Sequence, residues 1–108
     1  SLPKVSKSQV DVYYTTNVTK ADATKLLNYL LSSGFYSGDE PGECLLDKTN
    51  KTFEFKFVVK KGLDTDPEVI NIFKQLSKEM SKEAFNGASV DVHLLDENLK
   101  LLRVVVAF

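Results

Sequence analysis

Residues 66–87, DPEVINIFKQLSKEMSKEAFNG, decide the fold class of this chain. Their apolar side chains recur every three or four residues, which is the period of an amphipathic helix. Asp66 suits the N-cap and Pro67 the first helical position, while a capping box over residues 65–68 is the competing start. Gly87 favours the left-handed conformation that ends a helix. The stretch therefore predicts a helix that buries one face, formed by Val69, Ile70, Phe73, Leu76, Met80 and Ala84.

A second helix and five strands complete the predicted order. Residues 19–34 combine a capping box, an apolar stripe and a closing glycine, and they predict a shorter helix. Alternation of polar and apolar residues predicts the strands, and TFEFKFVVK is the clearest of them. A tight turn makes the second and third strands an antiparallel hairpin. The predicted strands cover residues 9–15, 43–48, 52–60, 89–96 and 99–108.

The order β-α-β-β-α-β-β predicts an α+β two-layer sandwich, ferredoxin-like with an added C-terminal β-strand. Because parallel crossovers are right-handed, we expect both helices on one face of an antiparallel-rich sheet, with the first and third strands central. We predict one domain over residues 9–108, after a flexible lead-in or cloning remnant at residues 1–8. Since the chain does not begin with Met, we also interpret it as a domain cut from a longer protein.

The composition is that of an ordinary soluble domain, with 108 residues, 43% hydrophobic and 27% charged. A formal net charge of −1 with mixed signs argues against a nucleic-acid partner, which requires a basic surface. No apolar run approaches the roughly 20 residues of a membrane span, so no direct membrane insertion is expected. There is no signal-peptide pattern, and Cys44 has no second cysteine to pair with. We therefore expect a cytoplasmic protein, or the soluble part of a larger one.

The sheet face that the helices leave uncovered is the candidate functional surface. The last strand is apolar on both faces, which is typical of a strand buried on both sides. We therefore predict an apolar contact patch, used for a two-fold homodimer or for docking to a neighbouring domain. The alternative is the scattered apolar exposure that is normal in β-rich chains, with the chain end folded over its own core. The candidate contact residues are Tyr13, Val58, His93, Leu95, Leu101 and Val105.

Other sequence features could carry chemistry, but each has a simpler interpretation. His93 and Cys44 would need convergent partners for metal binding or nucleophilic catalysis, and no motif spacing supplies them. The acidic loop at 36–43 lacks calcium-loop spacing, and the lysines at 60–61 lack a phosphate-loop pattern. The phenylalanines at 53–57 could stack on RNA bases, yet that module's signature is absent, and we predict them as core. We predict no catalytic, metal-binding or cofactor-binding residues, and no enzyme.

Several segments together resemble an uncharacterised bacterial domain family. They are VYYTTNVTKADATKL (12–26), GFYSGD (34–39), FEFKFVVKKG (53–62) and FNGASVDVHLLDENLKLLRVV (85–105). The resemblance spans residues 12–106 and implies a bacterial source and a domain excised from a larger, in some cases membrane-anchored, protein. It implies no activity and no functional residues.

The resulting hypothesis is a non-catalytic interaction or accessory domain that acts through the uncovered sheet face. The alternative is a small-ligand sensor or regulatory module, with a pocket at a dimer seam or near the 36–43 loop. A ligand that binds the folded state raises its melting temperature saturably, so thermal melting separates the two hypotheses.

Overall fold

The computed structural model describes residues 1–106 as an α+β domain, with two helices on a six-stranded mixed sheet. Ala107 and Phe108, which the predicted last strand and domain included, lie outside the described residues. A single 3-10 turn, Leu63–Thr65, precedes the longer helix. The elements are β1 (Lys4–Lys7), β2 (Val10–Tyr14), α1 (Lys20–Ser32), β3 (Gly42–Thr49), β4 (Thr52–Val58), α2 (Pro67–Ala84), β5 (Val90–Leu95) and β6 (Leu101–Val106).

Both helices begin where their capping residues predict. Thr19 caps α1 in a reciprocal box with Asp22, which satisfies two backbone N–H groups. The Asp66 side chain accepts the Glu68 N–H at 3.0 Å, so Asp66 rather than the competing Thr65 caps α2. These starts could be predicted because a cap depends only on residues within one turn.

The predicted ferredoxin-like order is not confirmed, because the sheet order is β1-β2-β3-β4-β5-β6. Each helix connects two strands that are direct parallel neighbours: α1 joins β2 to β3, and α2 joins β4 to β5. The hairpin of β3 and β4 is antiparallel, as predicted. The chain order β-α-β-β-α-β is compatible with either arrangement, since alternation defines the two faces of a strand but not its neighbours.

The helices do share one sheet face, but not for the predicted reason. Tyr29 of α1 donates a hydrogen bond to Glu79 of α2 at 2.9 Å, and both helices contribute to one buried core. Strands β2 and β3 run in one direction, and β4 and β5 run in the opposite direction. Each helix nevertheless connects its strand to the neighbour on the same side, toward β6. Two right-handed crossovers would then place the helices on opposite faces. These crossovers therefore have opposite hands, and one departs from the right-handed rule.

Residues 1–8, expected to be a flexible lead-in, contain strand β1, which pairs antiparallel with β2. The two-residue turn between these strands holds Ser8 at φ 50° and Gln9 at φ 66°. Positive φ at both positions is typical of a hairpin turn, for which Asn-Gly is the usual sequence signal. Ser-Gln does not give that signal, which is why the sequence did not predict this hairpin.

The core lies between the helices and the facing side of the sheet. Phe53 and Phe55 are buried there, as predicted, and Phe57 is partly buried. The Phe35 ring packs against both Phe55 and Phe57, with centroid distances of 5.6 and 5.3 Å. These rings are therefore core and do not form a surface for stacking bases. In the part of the chain that the structure describes, no helix lies over the other side of the sheet.

Two buried serines belong to the face that α2 buries, although the predicted stripe did not include them. The Ser77 hydroxyl is fully buried and donates to the carbonyl of Val90. The Ser81 hydroxyl donates to the carbonyl of Ala88 at 2.6 Å. Both bonds hold the start of β5 against α2, because a buried carbonyl without a donor is costly.

Candidate functional site

The strand registers arrange the uncovered face as three rows of side chains that run across the sheet. Partners in neighbouring strands share a face, so each row follows from the pairing. The first row is Ser6, Asp11, Glu43, Val58, Leu95 and Leu101. The middle row is Lys4, Tyr13, Leu45, Lys56, His93 and Val104. The acidic row is Asp47, Glu54, Asp91 and Val106.

One of the six predicted contact residues is wrong. Val105 pairs with Val92 on the helix-covered face and is only 2% exposed, so it belongs to the core. The other five lie on the uncovered face: Tyr13, Val58, His93, Leu95 and Leu101.

A β-bulge in β6 explains the error at Val105. Leu95 pairs with Leu101, while the preceding Leu94 pairs with Arg103. One step along β5 thus matches two steps along β6, and Leu102 is the extra residue. The bulge shifts the alternation by one residue. Residues after it, such as Val105, therefore point to the face opposite to the one predicted by counting from Leu101.

A groove of about 600 Å³ runs over the uncovered face. Its lining includes Val58 and Leu101, which are 48% and 47% exposed. Leu2, before β1, and Leu99, in the β5–β6 turn, also line it. The groove is therefore mainly apolar, although Lys56 and other charged groups contribute to its lining.

Exposed large apolar side chains are concentrated around this groove. Within residues 1–106 there are eight of them, and Ile72 on α2 is the exception. A single exposed apolar residue needs no explanation, but a contiguous set on one face is typical of a contact surface. The other seven lie on the uncovered face, on β6 or in adjoining segments: Leu2, Val58, Leu99, Leu101, Leu102, Val104 and Val106.

Asp47 is a well-satisfied carboxylate in the acidic row. It accepts hydrogen bonds from the Thr15 hydroxyl at 2.6 Å, the Asn17 amide at 3.1 Å and the Lys48 backbone N–H at 2.8 Å. Burial alone would raise the pKa of the Asp47 carboxyl, but these donors and Lys56 outweigh burial and lower the pKa. Asp47 therefore keeps its negative charge on this face.

Glu54 lies between Asp47 and Asp91 in the strand register. One of its oxygens is 3.6 Å from Lys56 Nζ, and the other is 3.6 Å from His93 Nε2. Lys56 Nζ also lies 3.9 Å from an Asp47 oxygen. The single lysine of this cluster is thus shared between two carboxylates.

His93 and Asp91 titrate in unusual surroundings. Burial lowers the pKa of the His93 imidazole, and Glu54 offsets this effect only in part, so His93 is mainly neutral near pH 7. Burial raises the pKa of Asp91, and Glu54 raises it further against the opposing effect of His93. Within residues 1–106, the Asp91 side chain has no hydrogen bond or ion pair. Among the described residues, the three carboxylates of the acidic row therefore share one lysine, Lys56, and its contacts do not reach Asp91.

Cys44 and His93 do not form a nucleophile–base pair. Cys44 is 5% exposed in the core on the helix-covered side, where burial raises the pKa of its thiol, whereas His93 lies on the opposite face. No group of three or more His, Cys, Asp or Glu side chains among the described residues could hold a metal ion.

Tyr36 fixes the loop at 36–43 through its ring and its hydroxyl. Its ring packs so closely on Gly42 that a Cβ there would lie 2.7 Å from a ring carbon. The Tyr36 hydroxyl donates to the Glu43 carbonyl at 3.0 Å. A second groove, of about 620 Å³, lies beside this loop and includes Lys7, Asn28 and Asp39 in its lining.

Several groove residues could not be predicted from the sequence. Leu45 follows buried Cys44 and precedes buried Leu46, so the run shows no alternation that would reveal its direction. The missing signal was its pairing with Tyr13 on β2, which only the sheet register gives.

The fold and this surface define a class: a small α+β sandwich domain with helices on one face of its sheet and an open, partly apolar groove on the other. Within that class, the chain belongs to the AF_1994_N family, described as a family N-terminal domain, whose model matches residues 4–106. This confirms the expected resemblance to an uncharacterised domain family, and it adds β1 to the matched region. No curated protein and no solved structure matches the chain.

The family match carries no residue roles, and the bacterial source remains a prediction. In the part of the chain that the structure describes, neither helix is long and apolar enough to cross a membrane.

Proposed function

We propose that this chain is a non-catalytic interaction domain that binds through its uncovered sheet face. The observation that carries the proposal is the groove of about 600 Å³, which exposed Val58, Leu99 and Leu101 line together with polar side chains. A partner that covers these side chains gains roughly 25 cal/mol for each Å² of apolar surface removed from water. The partner is a second copy of the chain or another part of a larger protein, and the family's description as an N-terminal domain supports the latter.

The first test is the absolute mass in solution, measured by light scattering over a wide concentration range. Val58→Lys and Leu101→Lys place a charge in the groove, and Ile72→Lys is the matched control, because Ile72 is 62% exposed on α2. If the face binds a second copy, the wild type and the control are dimers and both groove variants are monomers. All variants keep melting temperatures close to the wild type, since surface substitutions usually change stability by no more than about 0.5 kcal/mol.

Two results would contradict the proposal. A dimer that persists in both groove variants would place the self-contact elsewhere. A large loss of stability in both would show that these side chains belong to the fold. A monomer at every concentration would remove the homodimer from the proposal and direct the search to other parts of a larger protein.

A small-ligand sensor module is the second candidate. The grooves of about 600 and 620 Å³ support it, because ligand sites commonly have volumes of roughly 300–1,000 Å³. The groove beside the 36–43 loop is more polar in its lining, with Lys7, Asn28 and Asp39. A compound that raises the melting temperature saturably would favour the sensor, and substitution of Asn28 or Val58 would identify the groove that holds it.

A further inference from the structure

From the groove's charge pattern we infer that its occupant is a basic amphipathic helix from another part of a larger protein. The inference rests on the proposed function and selects one partner chemistry from it. Two features of the groove support the inference: a continuous apolar stripe across the sheet, and acidic groups on both sides of that stripe.

The apolar stripe crosses five strands diagonally. It begins with Tyr13 on β2 and Leu45 on β3, which are paired in the middle row. It moves to the first row at Val58 on β4 and continues through Leu95 on β5 to Leu101 on β6. Leu95 is only 9% exposed and forms the floor of the stripe, between the exposed side chains of Val58 and Leu101. Diagonal neighbours on one sheet face lie about 7–8 Å apart, within reach of a single apolar side chain of a partner.

The length of the stripe suits a short helix. From β2 to β6 there are four interstrand spacings, which at roughly 4.8 Å each give about 19 Å. A helix of about 13 residues has that length at a rise of about 1.5 Å per residue. One apolar face of such a helix presents residues at i, i+3, i+4 and i+7, which is a stripe of matching width.

Acidic groups flank the stripe on both sides. Asp11 and Glu43 continue the first row on one side. The acidic row lies on the other side, beyond Lys56 and His93. Five carboxylates against two lysines, Lys4 and Lys56, give the described face a formal net charge of −3, whereas the whole chain carries −1. The negative charge of this face is thus partly balanced elsewhere on the molecule.

This charge pattern favours a basic partner over a second copy of the same face. Two such faces in contact would bring carboxylates together, and like charges across an interface cost several kcal/mol. Lysine or arginine side chains beside an apolar helix stripe would meet both flanks, and their alkyl stems would cover apolar surface. Asp91 forms no ion pair among residues 1–106, and such a side chain would supply one.

The test uses two labelled synthetic peptides with the full chain, and fluorescence anisotropy as the readout. Both peptides have about 14 residues and the same leucine stripe at helical spacing. One carries lysines beside the stripe, and the control carries glutamates there. We expect the lysine peptide to bind at least about tenfold more tightly and to lose affinity as salt is raised, since salt screens exposed charges.

Substitutions in the protein test where the lysine peptide binds. Glu43→Gln and Asp91→Asn each remove one charge from opposite flanks, with Glu40→Gln as an exposed control in the loop. Leu101→Ser removes part of the stripe, with Ile72→Ser as the control on α2. The three groove variants are expected to weaken binding of the lysine peptide severalfold, and the two controls to leave it unchanged; melting curves verify that each variant folds.

The outcomes separate this inference from the proposed function. Equal binding of both peptides, or tighter binding of the glutamate peptide, overturns the basic partner but leaves an interaction face. If neither peptide binds and the wild type is a dimer through the groove, the occupant is a second copy and this inference is wrong. If neither binds and the protein is a monomer, the basic helix is wrong and the proposed function loses its support as well.

Discussion

Replacing Val105 and, separately, Val104 with alanine tests the bulge in β6 directly. Val105 is 2% exposed and opposite Val92 in the core, whereas Val104 is 38% exposed opposite His93 on the uncovered face. Each change removes two methyl groups, which at about 0.8 kcal/mol per buried group gives about 1.6 kcal/mol for Val105 before any cavity term. With a small residual cavity, the expected cost for Val105→Ala is about 2 kcal/mol. For Val104→Ala it is no more than about 0.5 kcal/mol.

Urea denaturation followed by circular dichroism measures the difference. With a slope of roughly 2 kcal/mol per M, Val105→Ala should lower the midpoint by about 1 M while the slope stays unchanged, and Val104→Ala should hardly move it. Equal costs, or a larger cost for Val104→Ala, would refute the reasoning. β6 would then alternate without a bulge, and Val105 would return to the contact face that the sequence predicted.

Two further predictions concern Ser77 and His93. Ser77→Ala should lower the free energy of unfolding by about 1 kcal/mol, because it removes the hydrogen bond that the buried Ser77 hydroxyl donates to the Val90 carbonyl; a thermal melt that matches the wild type would contradict this role. Because folding lowers the pKa of His93 below 6.5, the unfolded chain takes up the proton first as the pH falls, and stability should decrease below about pH 6.5. His93→Gln should flatten the change measured by denaturation at about pH 7.5 and about pH 5.5, and an equally steep change in the variant would assign the effect to another group.

Local features of the fold could be predicted from the sequence. Asp66 and Thr19 mark helix starts because a cap acts within one turn, and the alternation of residues 52–60 marks a strand because its side chains project to two sides in turn. The order of the strands could not be predicted in the same way. It depends on which strands pair, and one alternating pattern fits several neighbours.

Some residues of the candidate site could be predicted from local sequence, and others could not. Tyr13 and Val58 could be placed on the uncovered face because their strands alternate regularly. Val105 could not, because the one-residue bulge at Leu102 leaves no mark in a strand that is mainly apolar on both faces. The grouping of the acidic row could not be predicted either, since Asp47 and Asp91 are 44 positions apart in the chain and become neighbours of Glu54 only through the sheet register.

The strand order also bears on how the chain folds. Every strand of the described sheet pairs only with the strands next to it in sequence. In a ferredoxin-like sheet, a strand near the start of the chain pairs with a strand from the far end of the domain. Here each strand can join the edge left by the previous one, so the mean separation of contacts along the chain is lower, which is typical of faster folding. During synthesis on a ribosome, the sheet can therefore grow from β1 toward β6 as each segment emerges, without a long wait for distant partners.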